Sequence, residues 1–256
     1  MYCHRHISPT AHTRAAMFGL FALCSAMLLG LATRADAQGT GMLATKAEEA
    51  ELPHPFFTHM GLPEGVGSFN LRLLGLTTRA DGKTDGDVAF HLETGLTPTI
   101  GLHIRNDRFQ NNGKTEAMFQ FAAYVSKDGM SGFAPIIEFE IPTKSGASGI
   151  GTLVGFTSSL GTSAWAFNQV LHYDPREDMS DASAALVFKV SRNVFPIVEV
   201  LGAGGKGQFT TINGLAGIKV RLRDWLTAGV AIQFPITRAQ NFSSQLAFGP
   251  DLEWKR

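Results

Sequence analysis

The 256-residue sequence has two cysteines, Cys3 and Cys24, and both precede residue 38. The remaining chain has no thiol. Neither a disulfide framework nor a cysteine-held metal centre is available to it. It also lacks an excess of charge of either sign, with 22 Lys plus Arg against 22 Asp plus Glu. That balance argues against a nucleic-acid binder, which wants a basic stripe. Beyond residue 37 no apolar run reaches the length of a transmembrane helix. A mean hydropathy of +0.04 lies far below that of a helical membrane protein. Helical periodicity is scarce after residue 50.

The N-terminus carries a different pattern. Arg5 and Arg14 supply positive charge with no acid nearby, and Ala15 to Ala32 is an unbroken run of apolar and small residues. Ala35-Asp36-Ala37 then stands before Gln38. The order predicts a signal peptide over residues 1–37, cleaved after Ala37, with an uncleaved anchor as the alternative. Leu23 before Cys24, in the middle of the run, argues against a lipoprotein.

After residue 66 the dominant period is two. Phe69, Leu71, Leu73 and Gly75 alternate with Ser68, Asn70 and Arg72. Side chains along a strand point to opposite faces, so this is a strand with one apolar and one polar face. The same alternation recurs near residues 88–93, 100–105, 119–125, 133–141, 150–159, 165–172, 186–191, 194–200, 212–222, 226–234 and 246–254. Gln169 interrupts the apolar face of its segment. Strands of about ten residues cross a bilayer at a tilt. The connections between them read as alternately long (Ala80 to Gly86, Asn106 to Lys114) and short (Thr97-Pro98, Lys127 to Ser131). Outer-membrane barrels have long outer loops and short periplasmic turns. If both termini are periplasmic, Trp165, Trp225 and Trp254 all fall at the periplasmic interface, where aromatic girdles belong.

The chain ends in an amphipathic segment. Gly249, Leu252 and Trp254 match the Gly-x-x-apolar-x-aromatic ending of bacterial outer-membrane β-barrel proteins, which the chain resembles over residues 66–256. Ala247 stands where a polar residue is usual, and Lys255-Arg256 extend past the aromatic. The texture is also similar to small barrels described as transporters or as phenol-degradation-pathway outer-membrane proteins. The resemblance implies a Gram-negative outer membrane and an assembly machinery that reads the terminal strand. The expected fold is therefore all-β, a closed antiparallel up-and-down transmembrane barrel of about twelve strands, spanning residues 66–256. Residues 38–65 are expected to be a periplasmic lead or a segment folded into the barrel mouth.

Candidate chemistry concentrates in two places. His54-Pro-Phe-Phe-Thr-His59-Met60 offers two imidazoles and a thioether, a set that copper accepts. The competing reading is a docking segment in which Phe56 and Phe57 pack while the histidines stay in water. The second place is the polar face, where Arg72, Arg105, Lys189, Lys219 and Arg221 accompany Glu93, Glu138, Glu140, Glu199 and Glu253. His91, His103 and His172 share that face. Opposite charges there pair across strands, line a selective passage, or do both. The mixture of signs argues against a strong preference for anions or cations.

Three other motifs reduce to turns or chance. Asp81-Gly-Lys-Thr-Asp85-Gly-Asp87 lacks the order of a calcium loop and fits a hairpin turn. Gly202 to Gly207 lacks the glycine spacing and the helix of a phosphate loop. Ser159, His172 and Glu138 or Glu140 supply the residue types of a catalytic trio without a nucleophile elbow.

The expectation is thus a non-enzymatic outer-membrane channel for a small solute, narrow because twelve strands lie between filled barrels and porins. A plugged barrel with a binding or structural role, an outer-membrane enzyme and a soluble periplasmic β protein are the alternatives. Expected partners are membrane lipid, the assembly machinery and a small solute, and no nucleic acid.

Overall fold

A computed structural model describes residues 52–106, 114–143, 150–205, 208–237 and 242–255. The predicted signal peptide lies outside the described residues, as does the first half of the lead, residues 38–51. No described residue is helical. The strands are β1 (Phe69–Ala80), β2 (Lys83–Thr97), β3 (Ile100–Asn106), β4 (Lys114–Phe121), β5 (Tyr124–Val125), β6 (Gly132–Pro142) and β7 (Gly151–Thr162). They continue as β8 (Trp165–Asp174), β9 (Met179–Phe188), β10 (Val194–Gly205), β11 (Gln208–Arg223), β12 (Leu226–Pro235) and β13 (Ser244–Trp254).

All strands but β5 form a closed antiparallel barrel of twelve. Each pairs with the next along the chain, β4 pairs with β6, and β13 returns to β1. The closing seam runs from Phe69↔Trp254 to Arg79↔Ser244. Closure leaves no open edge, which hydrocarbon requires of a spanning sheet. The two-residue β5 pairs with β6 alone, outside the ring.

The alternation of the sequence maps onto the wall. Phe69, Leu73, Val88, Ile137, Val198, Val230, Ile232 and Phe248 point outward and are exposed. Asn70, Arg72, His91, Glu93 and Glu138 point inward and are buried. Gln169 faces out, and its Nε2 donates to Ser158 Oγ at 2.7 Å. The two polar side chains on the lipid side satisfy each other across β7 and β8, which offsets the cost of placing them there. Trp165 begins β8, Trp225 stands in the β11–β12 turn and Trp254 ends β13, so all three lie at the barrel end where β1 starts. Trp254 stacks on Phe69 with ring centroids 4.6 Å apart.

The connections differ from the expected alternation. Ala80 pairs with Lys83, so the segment read as a long loop is a two-residue turn at the tip of an extended hairpin. Asp81 (φ 48°) and Gly82 (φ 74°) occupy its corner, the backbone of the hairpin turn that Asp-Gly favours. Similarly, β10 runs to Gly205 and β11 resumes at Gln208. Above the bilayer both faces of a hairpin meet water. Polar residues there satisfy a strand as well as a loop. In the other direction, the β4–β6 link, expected to be short, runs from residue 122 to 131 and contains β5. The segment read as one strand over 119–125 accordingly breaks after Phe121.

Candidate functional site in the barrel lumen

Residues 52–64 enter the lumen, and Leu52 to His59 are all buried there. Pro53 and Pro55 hold this stretch extended, because proline fixes φ and disfavours helix in the residue before it. Extended backbone inside a barrel has no sheet partner. Its amides and carbonyls must therefore be satisfied by wall side chains.

The first half of the segment is seated on the strands from β9 through β13 and on β1. Phe56 and Phe57 join Leu74, Leu76, Val187, Phe195, Ile197, Leu215, Ala231 and Ala247 in one apolar cluster. Gly217 and Gly229 make room for the Phe56 ring, since a Cβ at either would lie under 3.0 Å from it. Glu199 receives four donors: the amides of Phe56, Phe57 (3.1 Å) and Thr58 (2.8 Å), and the Thr58 hydroxyl (2.9 Å). Lys219 donates to the carbonyls of His54 (2.7 Å) and Pro55 (3.2 Å) and pairs with Asp251. Its ammonium also lies 4.7 Å from the Phe56 ring centroid. Arg72 donates to the Phe56 carbonyl (2.8 Å) and to Glu93 (2.9 Å).

The second half is held by neutral polar groups of β4, β7 and β8. Gly61 N donates to Asn168 Oδ1 at 3.1 Å, Thr157 Oγ1 donates to Gly61 O at 3.0 Å, and Gln120 Nε2 donates to Met60 O at 3.0 Å.

The histidines of the segment are buried too, which corrects the expectation that they stay in water. His54 stands between two carboxylates, with Nε2 3.0 Å from Glu64 and Nδ1 3.2 Å from Glu93. Burial opposes its charge, but the two acids outweigh it and hold the imidazolium up to about 10. His59 is the reverse case. Burial and the adjacent Arg105 push it well below the ordinary histidine range, so it is neutral. Its partners fix the tautomers. Arg105 Nη1 donates to His59 Nε2 at 2.9 Å, and His59 Nδ1 then donates to His103 Nδ1 at 3.1 Å. His103 Nε2 donates to Gln120 Oε1 at 3.1 Å.

Eight of the wall residues singled out from sequence lie buried inside: Arg72, His91, Glu93, His103, Glu138, His172, Glu199 and Lys219. Arg105, Glu140 and Arg221 are partly buried. Arg105 pairs with Glu116, and Glu140 accepts from Lys114 at 2.6 Å. The Arg221 guanidinium lies 5.0 Å from the Phe195 ring. Lys189 lies one residue past the end of β9 at Phe188, half-buried, with its amide donating to Ala164 O at 2.8 Å. His172 meets Glu138 at 3.4 Å, but Ser159 pairs with Gly132 and Asn168, further down the wall, and no trio forms. His54 and His59 fall into different groups, the first with Glu64 and Glu93, the second with Glu93 and His103.

Sequence reasoning missed the inward-facing Leu74, Ile197, Leu215 and Ala231. With Leu76, Val187, Phe195 and Ala247 they form an apolar patch within the lining, and their signal was visible as apolar residues at the parity of the polar face. It also missed Glu64, whose role depends on a fold that the lead's sequence does not announce.

Above the segment the described residues leave two cavities in the lumen. One cavity of about 530 Å³ is bounded by Phe57, Leu76, Thr78, Leu201, Gln233 and Gln245. A second of about 170 Å³ is bounded by Phe57, Arg105, His172, Asp181, Leu201 and Asn213. Phe57 and Leu201 are common to both.

No family model matches the sequence, and no curated protein matches it either. Solved structures are similar in fold. The KdgM porin superposes with a TM-score of 0.56 at 9% identity, covering 73% of this chain and 99% of that one. The COG4313 outer membrane channel from Pseudomonas putida F1 gives a TM-score of 0.56 at 10% identity, covering 76% of this chain and 98% of that one. The closed ring and its apolar outer belt make this chain an outer-membrane β-barrel.

Proposed function

We propose that the protein is a non-enzymatic channel for small solutes whose passage is closed by its own residues 52–64. The observation that carries this reading is the contrast along the lumen among the described residues: a cavity of about 530 Å³ above Phe57 and a filled passage at the segment. Residues 60–61 are held by single neutral hydrogen bonds to Asn168, Thr157 and Gln120, each worth about 1 kcal/mol net, so that part of the seat can yield one bond at a time. The solute enters from the outer vestibule and passes when the segment yields. Mixed charge along the wall favours a solute without strong charge preference. Membrane lipid is the surrounding partner, and assembly machinery reading Gly249, Leu252 and Trp254 is the partner during folding.

The test is single-channel conductance of refolded protein in a planar bilayer, for the full chain and for a variant lacking residues 52–64. Steps in the variant that are larger or more frequent than in the parent support a gated channel. Steps of equal size in both remove the segment from the path. Inserted protein silent in both forms favours the second reading, a non-conducting barrel whose outer loops do the work. The filled lumen is the observation on its side.

A further inference from the structure

The five histidines beyond residue 50 come from separate parts of the sequence and gather around Glu93 and His59. The rings of His103, His91 and His172 lie 5.1, 6.2 and 6.2 Å from that of His59. A hydrogen-bonded chain explains the contact between His59 and His103, and Glu93 faces both rings. Glu93 Oε2 is fully buried; its ion pair with His54 Nδ1 at 3.2 Å lacks the alignment of a hydrogen bond, which leaves that oxygen able to take a further partner. That oxygen lies 3.8 Å from His103 Nδ1, and Glu93 Oε1 lies 3.8 Å from His59 Nδ1.

We propose that His59, His103 and Glu93 form a binding site for one divalent transition-metal ion, of the zinc or copper class, which ties the lumenal segment to the barrel wall. The two Nδ1 atoms are 3.1 Å apart, and ligands of a tetrahedral zinc site stand about 3.3 Å apart when each is about 2.0–2.1 Å from the metal. Two imidazoles and a carboxylate suit such an ion, and water completes the set. The outer partner of His103 is already in place. Its Nε2 donates to Gln120 Oε1 at 3.1 Å, which leaves Nδ1 for the metal, the usual arrangement behind a ligating histidine. On binding, the hydrogen of His59 moves from Nδ1 to Nε2. Arg105 then gives up its contact with Nε2 and keeps Glu116. No net proton is released from the pair of rings. Because His59 belongs to the segment and His103 and Glu93 to β3 and β2, occupancy links the two covalently distant parts.

The site is tested by titrating refolded, untagged protein with Zn²⁺ in a calorimeter, and with Co²⁺ while following visible absorption. The expected result is saturable one-to-one binding with the spectrum of a tetrahedral Co²⁺ site, lost in His59→Gln and in His103→Gln. Gln120→Ala is expected to weaken binding about 10- to 100-fold, and Arg105→Gln to strengthen it. Heat-modified gel mobility reports whether each variant is folded. If His103→Gln fails to fold, His59→Gln decides, since His59 is not part of the wall. Absence of saturable binding of Zn²⁺, Co²⁺ and Cu²⁺ to the folded parent overturns the site. So does binding in folded His59→Gln as tight as in the parent. Neither outcome depends on whether the barrel conducts.

Discussion

The two halves of the lumenal segment are held by different physics. Residues 52–58 sit in a pocket where apolar contact and buried charge act together: Phe56 fills the space over Gly217 and Gly229, while Glu199 gathers four donors. Residues 59–64 rest on a single hydrogen bond to Asn168, on single hydrogen bonds from Thr157 and Gln120, and on the histidine contacts. The first half is anchored by an aromatic side chain and charged groups together. The second lies backbone-close to the wall, as Gly61 does to Ser158, and its bonds to Asn168, Thr157 and Gln120 are single and neutral. The difference teaches that a plug need not open as one body, because the half with the weaker seat can let go first.

The largest effect on this comparison is expected from Phe56→Ala. It should cost about 3–5 kcal/mol of docking free energy, the usual range for emptying a buried phenylalanine site. Amide exchange of Phe57 and Thr58 should accelerate strongly, with Gly61 changed less. Equal acceleration at Gly61 would mean that the halves are one cooperative unit. Glu199→Gln comes next. It replaces a charged acceptor of several donors and should cost about 2 kcal/mol, seen as faster exchange of the same two amides. Unchanged exchange there would remove Glu199 from the seat. Asn168→Ala probes the other half. It removes the one acceptor at Gly61 N and should cost about 1 kcal/mol, confined to the exchange of Gly61 and its neighbours.

The smallest effect is at a water-exposed turn. Asp128 accepts from the Ser126 hydroxyl (2.5 Å) and the Met130 amide (3.0 Å), which lower its pKa below the usual 3.8. A depressed carboxyl contributes stability above its unfolded pKa and loses it as pH falls through the folded value. Acidification below about pH 4 should therefore loosen the β4–β6 connection slightly, measured by amide exchange at Met130. No change at Met130 would show that the carboxylate does not hold the turn.

Much of the wall was legible from residues alone. Phe69, Leu71 and Leu73 alternate with Asn70 and Arg72, and lipid on one side leaves such a strand a single choice of face. The outer hairpins were less legible. Residues 80–86 are polar on both faces, so strand and loop give the same pattern there. The seat of Phe56 was not legible either: Gly217 and Gly229 lie on neighbouring strands, pair with Ala231 and Lys219, and are over 160 residues from the ring they accommodate.

The sequence by itself determined that this chain closes into a barrel. Its period-two alternation offers lipid an apolar face, and hydrocarbon leaves unpaired backbone no other remedy. Only the tertiary structure decided what fills that barrel. His54 and His59 come from the lead, His91 and Glu93 from β2, His103 from β3 and His172 from β8. No local pattern relates residues so far apart. Strand register and the path of the segment bring them to one point, and both are properties of the closed ring rather than of any stretch within it.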